Sequence, residues 1–120
     1  EFVPPAHRRL AFADTDLRVA LIASSSWSHA FLVDKNWHIT PDTDADLRLY
    51  DLLTNGDYEK WQATPTRDIL ESGQQELLNW FCMTGAAAEL GLELDWSELV
   101  ITDVFNSNKC FAIFQEGNQR

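Results

Sequence analysis

Positive charge is scarce in this chain, and the scarcity argues against two kinds of partner. Nine lysine and arginine residues stand against 19 acidic residues, which gives a formal net charge of −10 over 120 residues. The basic residues form no run longer than Arg8-Arg9. Such a surface repels nucleic acid and anionic lipid headgroups, so we predict neither nucleic-acid binding nor membrane association.

Long apolar runs and cysteines are also scarce. No apolar run approaches the ~20 residues that a membrane-spanning helix needs, and the sequence shows no leader peptide, so we expect a cytoplasmic protein. The two cysteines, Cys82 and Cys110, lie singly inside apolar segments. Two isolated cysteines favour buried, unreactive thiols in a reducing compartment over a disulfide framework.

The length allows one domain, which is small for an enzyme whose active site has several parts. Residues 1–16 show no lasting period and are expected to form an irregular lead-in. Residues 17–114 carry the organised pattern, and residues 115–120 form a tail. Because the sequence begins at Glu1-Phe2 without a methionine, we expect the carboxyl-terminal portion of a longer chain.

Helix signals occupy the middle of the chain. Thr43 with Asp46 fits a capping box, and the helix that follows should end at Asn55-Gly56. Short helices or turns are expected at 57–62 and 66–71. Ser72 with Gln75 repeats the capping pattern and predicts the longest helix, from Ser72 to about Leu90, with Gly91 as its stop.

Strand signals flank these helices. Residues 18–24 predict a first strand, and residues 99–105 and 110–114 predict a hairpin around Asn106-Ser-Asn108, where the asparagines serve as turn residues. We therefore predict an α/β fold in which the long helix packs on a central sheet.

The most informative stretch is residues 19–29, an apolar run that changes into serines and ends at Ser28-His29. Such a run is typical of a buried strand whose carboxyl end opens into a crevice, where α/β proteins place their chemistry. Histidine exchanges a proton near neutral pH, which suits it to acid–base work. A histidine in this position is also compatible with a purely structural hydrogen bond.

Glu76 is the natural companion of His29. Helical spacing puts Trp80 and Met83 on the same side as Glu76, an apolar setting in which an unpaired carboxylate is costly. Such a group is usually paired or bound to a metal. The alternative is that the helix dipole favours a glutamate in a first helical turn without any functional role.

Three segments, in this order, resemble the class III extradiol ring-cleavage dioxygenases of the protocatechuate and gallate dioxygenase type. They are the run that ends in Ser28-His29, residues 76–86 and residues 105–114, and together they span most of residues 17–114. Each motif alone is weak, whereas the set is fairly specific. The resemblance implies a mixed central sheet flanked by helices, present here as a partial, carboxyl-terminal unit with exposed apolar faces.

In this family two histidines and one carboxylate hold a non-haem iron(II) and leave positions open for a catechol and O2. By resemblance, Glu76 is the carboxylate ligand and His29 is the acid–base histidine outside the metal shell. Nothing in the chain matches the two histidine ligands, because neither His7 nor His38 lies in a matching motif. The chain alone is therefore expected to be inactive.

The substrate side of the prediction rests on neighbouring residues. Ser28 would orient the His29 imidazole, and Trp27 and Trp37 would line the pocket around the aromatic ring of the substrate. Lys35 is the nearest cation that could bind an acidic substituent on the ring.

These expectations define an oxidoreductase that cleaves a catecholic acid or related catechol with O2. It would work with the amino-terminal part of the catalytic chain or a partner subunit, in an oligomer. The alternative is a non-catalytic binding or assembly module that keeps the fold without the metal. A hydrolase that uses Ser28 and His29 is disfavoured, because adjacent residues of a strand point to opposite faces and no Gly-x-Ser-x-Gly motif is present.

Overall fold

The computed structural model describes residues 14–117. It confirms the α/β composition: within residues 14–117, four α-helices pack with one antiparallel pair of strands. In chain order these are α1 (Thr43–Thr54), α2 (Tyr58–Gln62), α3 (Thr66–Glu71), α4 (Leu78–Leu90), β1 (Leu92–Val100) and β2 (Lys109–Glu116), with 3₁₀ helices at Ala30–Leu32, Lys35–His38 and Gln75–Leu77. Of the predicted lead-in and tail, residues 1–13 and 118–120 lie outside the described residues.

Helix α1 confirms the predicted helix but not its cap. The residue that caps it is Asp42, whose side chain accepts a hydrogen bond from the Ala45 amide at 3.1 Å. The predicted capping box needed the Asp46 carboxylate to reach back to Thr43, and Asp46 instead points into the core with an exposure of 0%. At the other end, Gly56 has a φ of +71° and lies just beyond the helix, as predicted.

The predicted continuous helix from Ser72 to Leu90 is wrong. Ser72 ends α3, where its hydroxyl donates to the Asp68 carbonyl at 2.6 Å, and Gly73 then turns the chain with a φ of +68°. The chain continues through the Gln75–Leu77 3₁₀ helix before α4 begins at Leu78. The predicted stop is confirmed, since Gly91 caps α4 in the left-handed conformation with a φ of +65°.

A hairpin is confirmed, but the predicted first strand at residues 99–105 is wrong: β1 ends at Val100, and residues 101–105 belong to the connection. Strands β1 and β2 pair from Leu92↔Glu116 to Val100↔Lys109, with an irregularity between Leu94 and Trp96. Residues 101–108 form the connection. Cys110 is buried on the inner face of β2, whereas Phe111 on the opposite face is 54% exposed.

The predicted first strand at residues 18–24 is wrong, because residues 16–26 have no regular secondary structure. Neither strand of the described sheet pairs with this segment, and an unpaired run cannot form a strand whatever its apolar content. One side-chain contact ties its end to α4: Asn79 Nδ2 donates to the Ser24 carbonyl at 3.0 Å.

Tryptophan dominates the core. Trp27, Trp61 and Trp80 meet with ring centroids 5.5 to 6.4 Å apart, and the Trp61 indole donates to the Leu49 carbonyl at 2.8 Å. Leu53 and Leu77 are fully buried in the same cluster. Since Trp27 belongs to the irregular segment, its burial anchors that segment to the helices.

Apolar side chains also remain exposed, as expected for a partial unit. Ile22 is 83% exposed, and Trp96 and Ile113 are about half exposed on the outer face of the hairpin. An open groove of about 380 Å³ separates residues 21–23 from β2 and α4. Across residues 14–117, no helix is both long and apolar enough to cross a membrane.

Both cysteines are free thiols, but only one follows the predicted burial. Cys110 is 7% exposed, and burial together with the negative charge of Asp46 raises the pKa of its thiol to about 12. Cys82 is exposed on α4, so the prediction of a buried thiol is wrong there. The α4 helix turns this apolar-flanked position outward.

Candidate functional site

His29 lies on a short extended segment that is held on both sides. The Trp27 amide donates to the Asn108 carbonyl at 3.0 Å, and the Ala30 amide donates to the Asn106 carbonyl at 2.7 Å. His29 thus forms an isolated antiparallel bridge with Ser107. On the opposite side, the His29 amide donates to the Gly73 carbonyl at 2.9 Å.

The extended backbone explains why the neighbouring side chains of Ser28 and His29 differ in burial. His29 has φ −129° and ψ 117°, and successive side chains of such a segment point to opposite sides. Ser28 therefore points into the core, where it is 0% exposed, while the His29 ring is partly exposed. The imidazole of His29 is therefore accessible to solvent, whereas the hydroxyl of Ser28 is not.

The His29 ring is constrained through one of its nitrogens. Nδ1 accepts a hydrogen bond from the Phe31 amide at 3.3 Å, and the ring lies 5.4 Å from the Phe31 ring. An Nδ1 that accepts leaves the hydrogen of the neutral ring on Nε2. In this geometry His29 presents a proton donor at Nε2.

Glu76 lies in the Gln75–Leu77 3₁₀ helix, and its setting differs from the expected one. The side chain is exposed, so the predicted apolar surroundings built on Trp80 and Met83 are wrong. This follows from the break at Gly73, which removes Glu76 from the helix whose spacing predicted that face. One carboxylate oxygen, Oε2, accepts a hydrogen bond from the Ser26 amide at 3.2 Å.

These contacts bring the predicted catalytic and metal residues into one neighbourhood. Residues 26–29 lie alongside residues 73–76, joined at one end by Ser26 and Glu76 and at the other by His29 and Gly73. Because residues 106–108 flank the same segment, all three sequence motifs meet at one place in the fold.

The predicted substrate-binding residues are arranged differently. Trp27 and Ser28 are both 0% exposed, and the Ser28 hydroxyl donates to Asp46 at 2.6 Å, so it does not orient the His29 ring. Trp37 is 87% exposed in a left-handed turn with a φ of +58°. This geometry argues against a ring wall built from Trp27 and Trp37.

The predicted anion-binding cation is also placed elsewhere. Lys35 pairs with Asp42, at the start of α1. Lys109 is the cation beside the candidate site: its Nζ contacts the Ser107 hydroxyl, lies 3.4 Å from the Ser26 hydroxyl and stands 5.9 Å from the centre of the Phe105 ring. Its position at the start of β2, directly after Asn106-Ser-Asn108, was the available sequence signal.

Sequence reasoning also missed the most buried polar group beside the site. Asp46 accepts hydrogen bonds from Ser28, Gln74 and Asn108, each of which adjoins one of the three motifs. Burial raises the pKa of the Asp46 carboxyl above its usual range, while these hydrogen bonds oppose that rise. Asn108 is therefore a hydrogen-bond donor to the buried Asp46 carboxyl group, and not only a turn residue as predicted.

The residues present do not fit an iron(II) centre on their own. Within residues 14–117, no three histidine, cysteine or acidic side chains lie close enough together to hold a metal ion. Glu76 supplies one exposed carboxylate, and a facial site needs two histidines besides. A complete centre therefore needs ligands from outside this stretch.

No protein-family model, curated protein or solved structure matches this chain. The assignment of a function therefore depends on the residues and their geometry.

Proposed function

We propose that the chain is the carboxyl-terminal part of the catalytic subunit of an extradiol ring-cleavage dioxygenase that acts on a catecholic acid or related catechol. One observation carries the proposal. The motifs that resemble this family are far apart in sequence, yet the segments holding His29, Glu76 and Ser107 are joined directly by hydrogen bonds. The proposal therefore joins a sequence resemblance to the observed proximity of the segments that carry it.

In this proposal Glu76 is one ligand of a non-haem iron(II), and two histidines come from the amino-terminal part of the chain or from a partner subunit. The iron, when bound, supplies charge stabilisation and a template for the catechol and O2. The exposed apolar surfaces of residues 17–22 and of the hairpin are covered by that missing part or by further subunits.

The role of His29 follows from its own contacts. With Nδ1 accepting from the Phe31 amide, Nε2 is the nitrogen left to meet the substrate, where the neutral ring donates a hydrogen bond. A proton transfer from Nε2 needs the imidazolium form, in which Nδ1 no longer accepts from that amide. The ring is partly exposed, as a group that meets a substrate must be. We place the reaction in the cytoplasm, because both cysteines are free thiols.

The test uses the complete gene product, anaerobic iron(II) titration and oxygen uptake with protocatechuate as the probe. We expect one iron per site, oxygen uptake and a yellow ring-opened product. Glu76→Ala should lose both iron and turnover. His29→Phe should keep iron and lose most turnover, because it removes proton transfer and leaves the ligands.

Matched controls separate these effects from general damage. Glu89→Ala removes an exposed carboxylate from α4, and His38→Phe removes an exposed imidazole; both should retain iron and activity. Equal iron content in the wild type and the Glu76 variant would overturn the ligand assignment.

A non-catalytic binding or assembly module is the second candidate, and one observation favours it: apolar side chains of the hairpin, among them Trp96 and Ile113, are about half exposed, as at a surface that meets a partner. If the complete gene product bound no iron and consumed no oxygen, this second function would replace the first.

A further inference from the structure

Asp46 is a fully buried carboxylate whose hydrogen-bond donors are all uncharged. Oδ1 accepts from the Ser28 amide at 3.0 Å and from Gln74 Nε2 at 2.7 Å. Oδ2 accepts from the Ser28 hydroxyl at 2.6 Å and from Asn108 Nδ2 at 2.8 Å. Each oxygen thus receives two good hydrogen bonds, which satisfies a carboxylate about as fully as proteins allow.

The donors come from three segments that are distant in sequence. Ser28, Gln74 and Asn108 lie 18, 28 and 62 residues from Asp46. None of them belongs to a regular helix or strand, although the Asn108 amide donates to the Ser28 carbonyl at 3.2 Å and the Gln74 amide donates to the Ile69 carbonyl at 2.9 Å. A side chain on the rigid helix α1 provides the common attachment point for all three.

Each donor adjoins a residue of the candidate site. Ser28 precedes His29, Gln74 lies between Gly73 and Glu76, and Asn108 follows Ser107, the bridge partner of His29. Moving any donor by an ångström therefore moves a site residue with it.

The donors are themselves held in orientation. The Ser72 hydroxyl lies 2.6 Å from the Asp68 carbonyl and 2.8 Å from Gln74 Oε1, so its single hydrogen is shared between these two acceptors, and the Gln74 amide nitrogen lies on the Asp46 side. Asn108 Nδ2 also donates to the Thr43 hydroxyl at 3.1 Å. The network is therefore directional, and an amide in place of the carboxylate would put its own donor group against other donors.

We propose that Asp46 is a positioning residue for the candidate site: its carboxyl group fixes the Ser28 peptide so that the His29 ring faces outward on the segment that lies alongside residues 73–76. This inference rests on the proposed function for its catalytic meaning. The claim that Asp46 controls the position and the tautomer of the His29 ring does not depend on that function.

The test compares Asp46→Asn with Asp51→Asn, which changes an exposed aspartate on the same helix. Two readouts are local: amide hydrogen exchange at Ser28, and the ¹⁵N chemical shifts of the His29 ring, which report which nitrogen carries the hydrogen. For Asp46→Asn we expect about tenfold or greater loss of protection at Ser28. We also expect loss of the single Nε2-protonated form of His29. Asp51→Asn should change neither.

A purely structural role predicts a different result. In that case Asp46→Asn would lower global stability while the His29 ring shifts stayed those of the wild type, and the proposal would be overturned. If Asp46→Asn does not fold, Asp46→Glu provides the test, because it keeps a carboxylate but displaces its oxygens from the Ser28 amide; unchanged ring shifts there would overturn the proposal too.

The two proposals fail separately. Absence of iron binding and oxygen uptake in the complete gene product would reject the dioxygenase and leave the His29 measurement intact. Unchanged His29 shifts in an active enzyme would reject the role of Asp46 alone.

Discussion

Gly73 is the position where a single added methyl group should be most damaging. Its φ of +68° is a conformation that side-chain-bearing residues adopt only with strain. A Cβ there would lie 2.5 Å from the carbonyl oxygen of His29 and 3.2 Å from Val33 Cγ1. The first distance is far below van der Waals contact, and it involves backbone that cannot rotate away as a side chain can.

The cost of Gly73→Ala therefore has two parts. The left-handed conformation costs about 1–2 kcal/mol for a residue with a Cβ. The clash adds about 1–3 kcal/mol, the usual cost of overpacking a well-filled site. The clash must also separate residues 26–29 from residues 73–76, which weakens the hydrogen bond from the His29 amide to the Gly73 carbonyl.

A comparison of urea unfolding for Gly73→Ala and Gly56→Ala separates the cost of the clash from the cost of the left-handed backbone, which both variants share. Gly56 has a similar φ of +71°, and a Cβ there would meet nothing within 4 Å. We expect Gly56→Ala to lose about 1–2 kcal/mol and Gly73→Ala about 2–5 kcal/mol. Hydrogen exchange at the His29 amide should also accelerate in the Gly73 variant alone. Equal losses with equal exchange would refute the argument that these two segments are in close contact.

Three further predictions concern the core, the buried carboxyl and the thiols. Trp61→Phe should cost about 2–4 kcal/mol in urea unfolding, because it leaves a cavity and removes the indole hydrogen bond to the Leu49 carbonyl, whereas Trp37→Phe should stay within about 0.5 kcal/mol; similar costs would contradict this. Because burial raises the pKa of the Asp46 carboxyl, the folded state keeps that proton to higher pH than the unfolded state. The wild type should therefore lose stability relative to Asp46→Asn as pH rises from about 4 through the raised pKa, and parallel stability curves would contradict the sign. Iodoacetamide at about pH 8 should label exposed Cys82 in the native protein and spare Cys110, whose thiol has a pKa of about 12; equal labelling would contradict the burial.

The sequence predicted those parts of the fold that depend on local signals. Gly56 and Gly91 end helices where expected, and the apolar run at residues 110–114 forms most of the second hairpin strand, whereas most of the run at residues 99–105 lies in the connection. The errors occur at positions where tertiary contacts, and not local sequence, determine the backbone conformation. Residues 18–24 have the composition of a strand but lack a partner, and Gly73 breaks a predicted helix so that the chain can approach the His29 carbonyl.

The candidate site was predicted in part for the same reason. His29 and Glu76 were identified from motifs, and their segments do lie side by side. The burial of Trp27 and the contact between Ser28 and Asp46 depend on which way the chain turns after residue 26. Asp46 was interpreted as part of a helix cap, since a carboxylate near a helix start satisfies that pattern without any reference to the rest of the fold.

The chemistry at position 46 explains why an acidic residue can occupy so buried a place. An apolar side chain there would avoid the cost of burying a carboxylate. It would, however, leave the Ser28 amide and the amide nitrogens of Gln74 and Asn108 without their acceptor, and each unpaired buried donor costs about 1–3 kcal/mol. The backbone bonds that join Ser28 to Asn108 and Gln74 to Ile69 would remain, but none of them connects these segments to α1. The carboxylate therefore determines where three otherwise irregular segments lie, and with them the relative placement of His29 and Glu76.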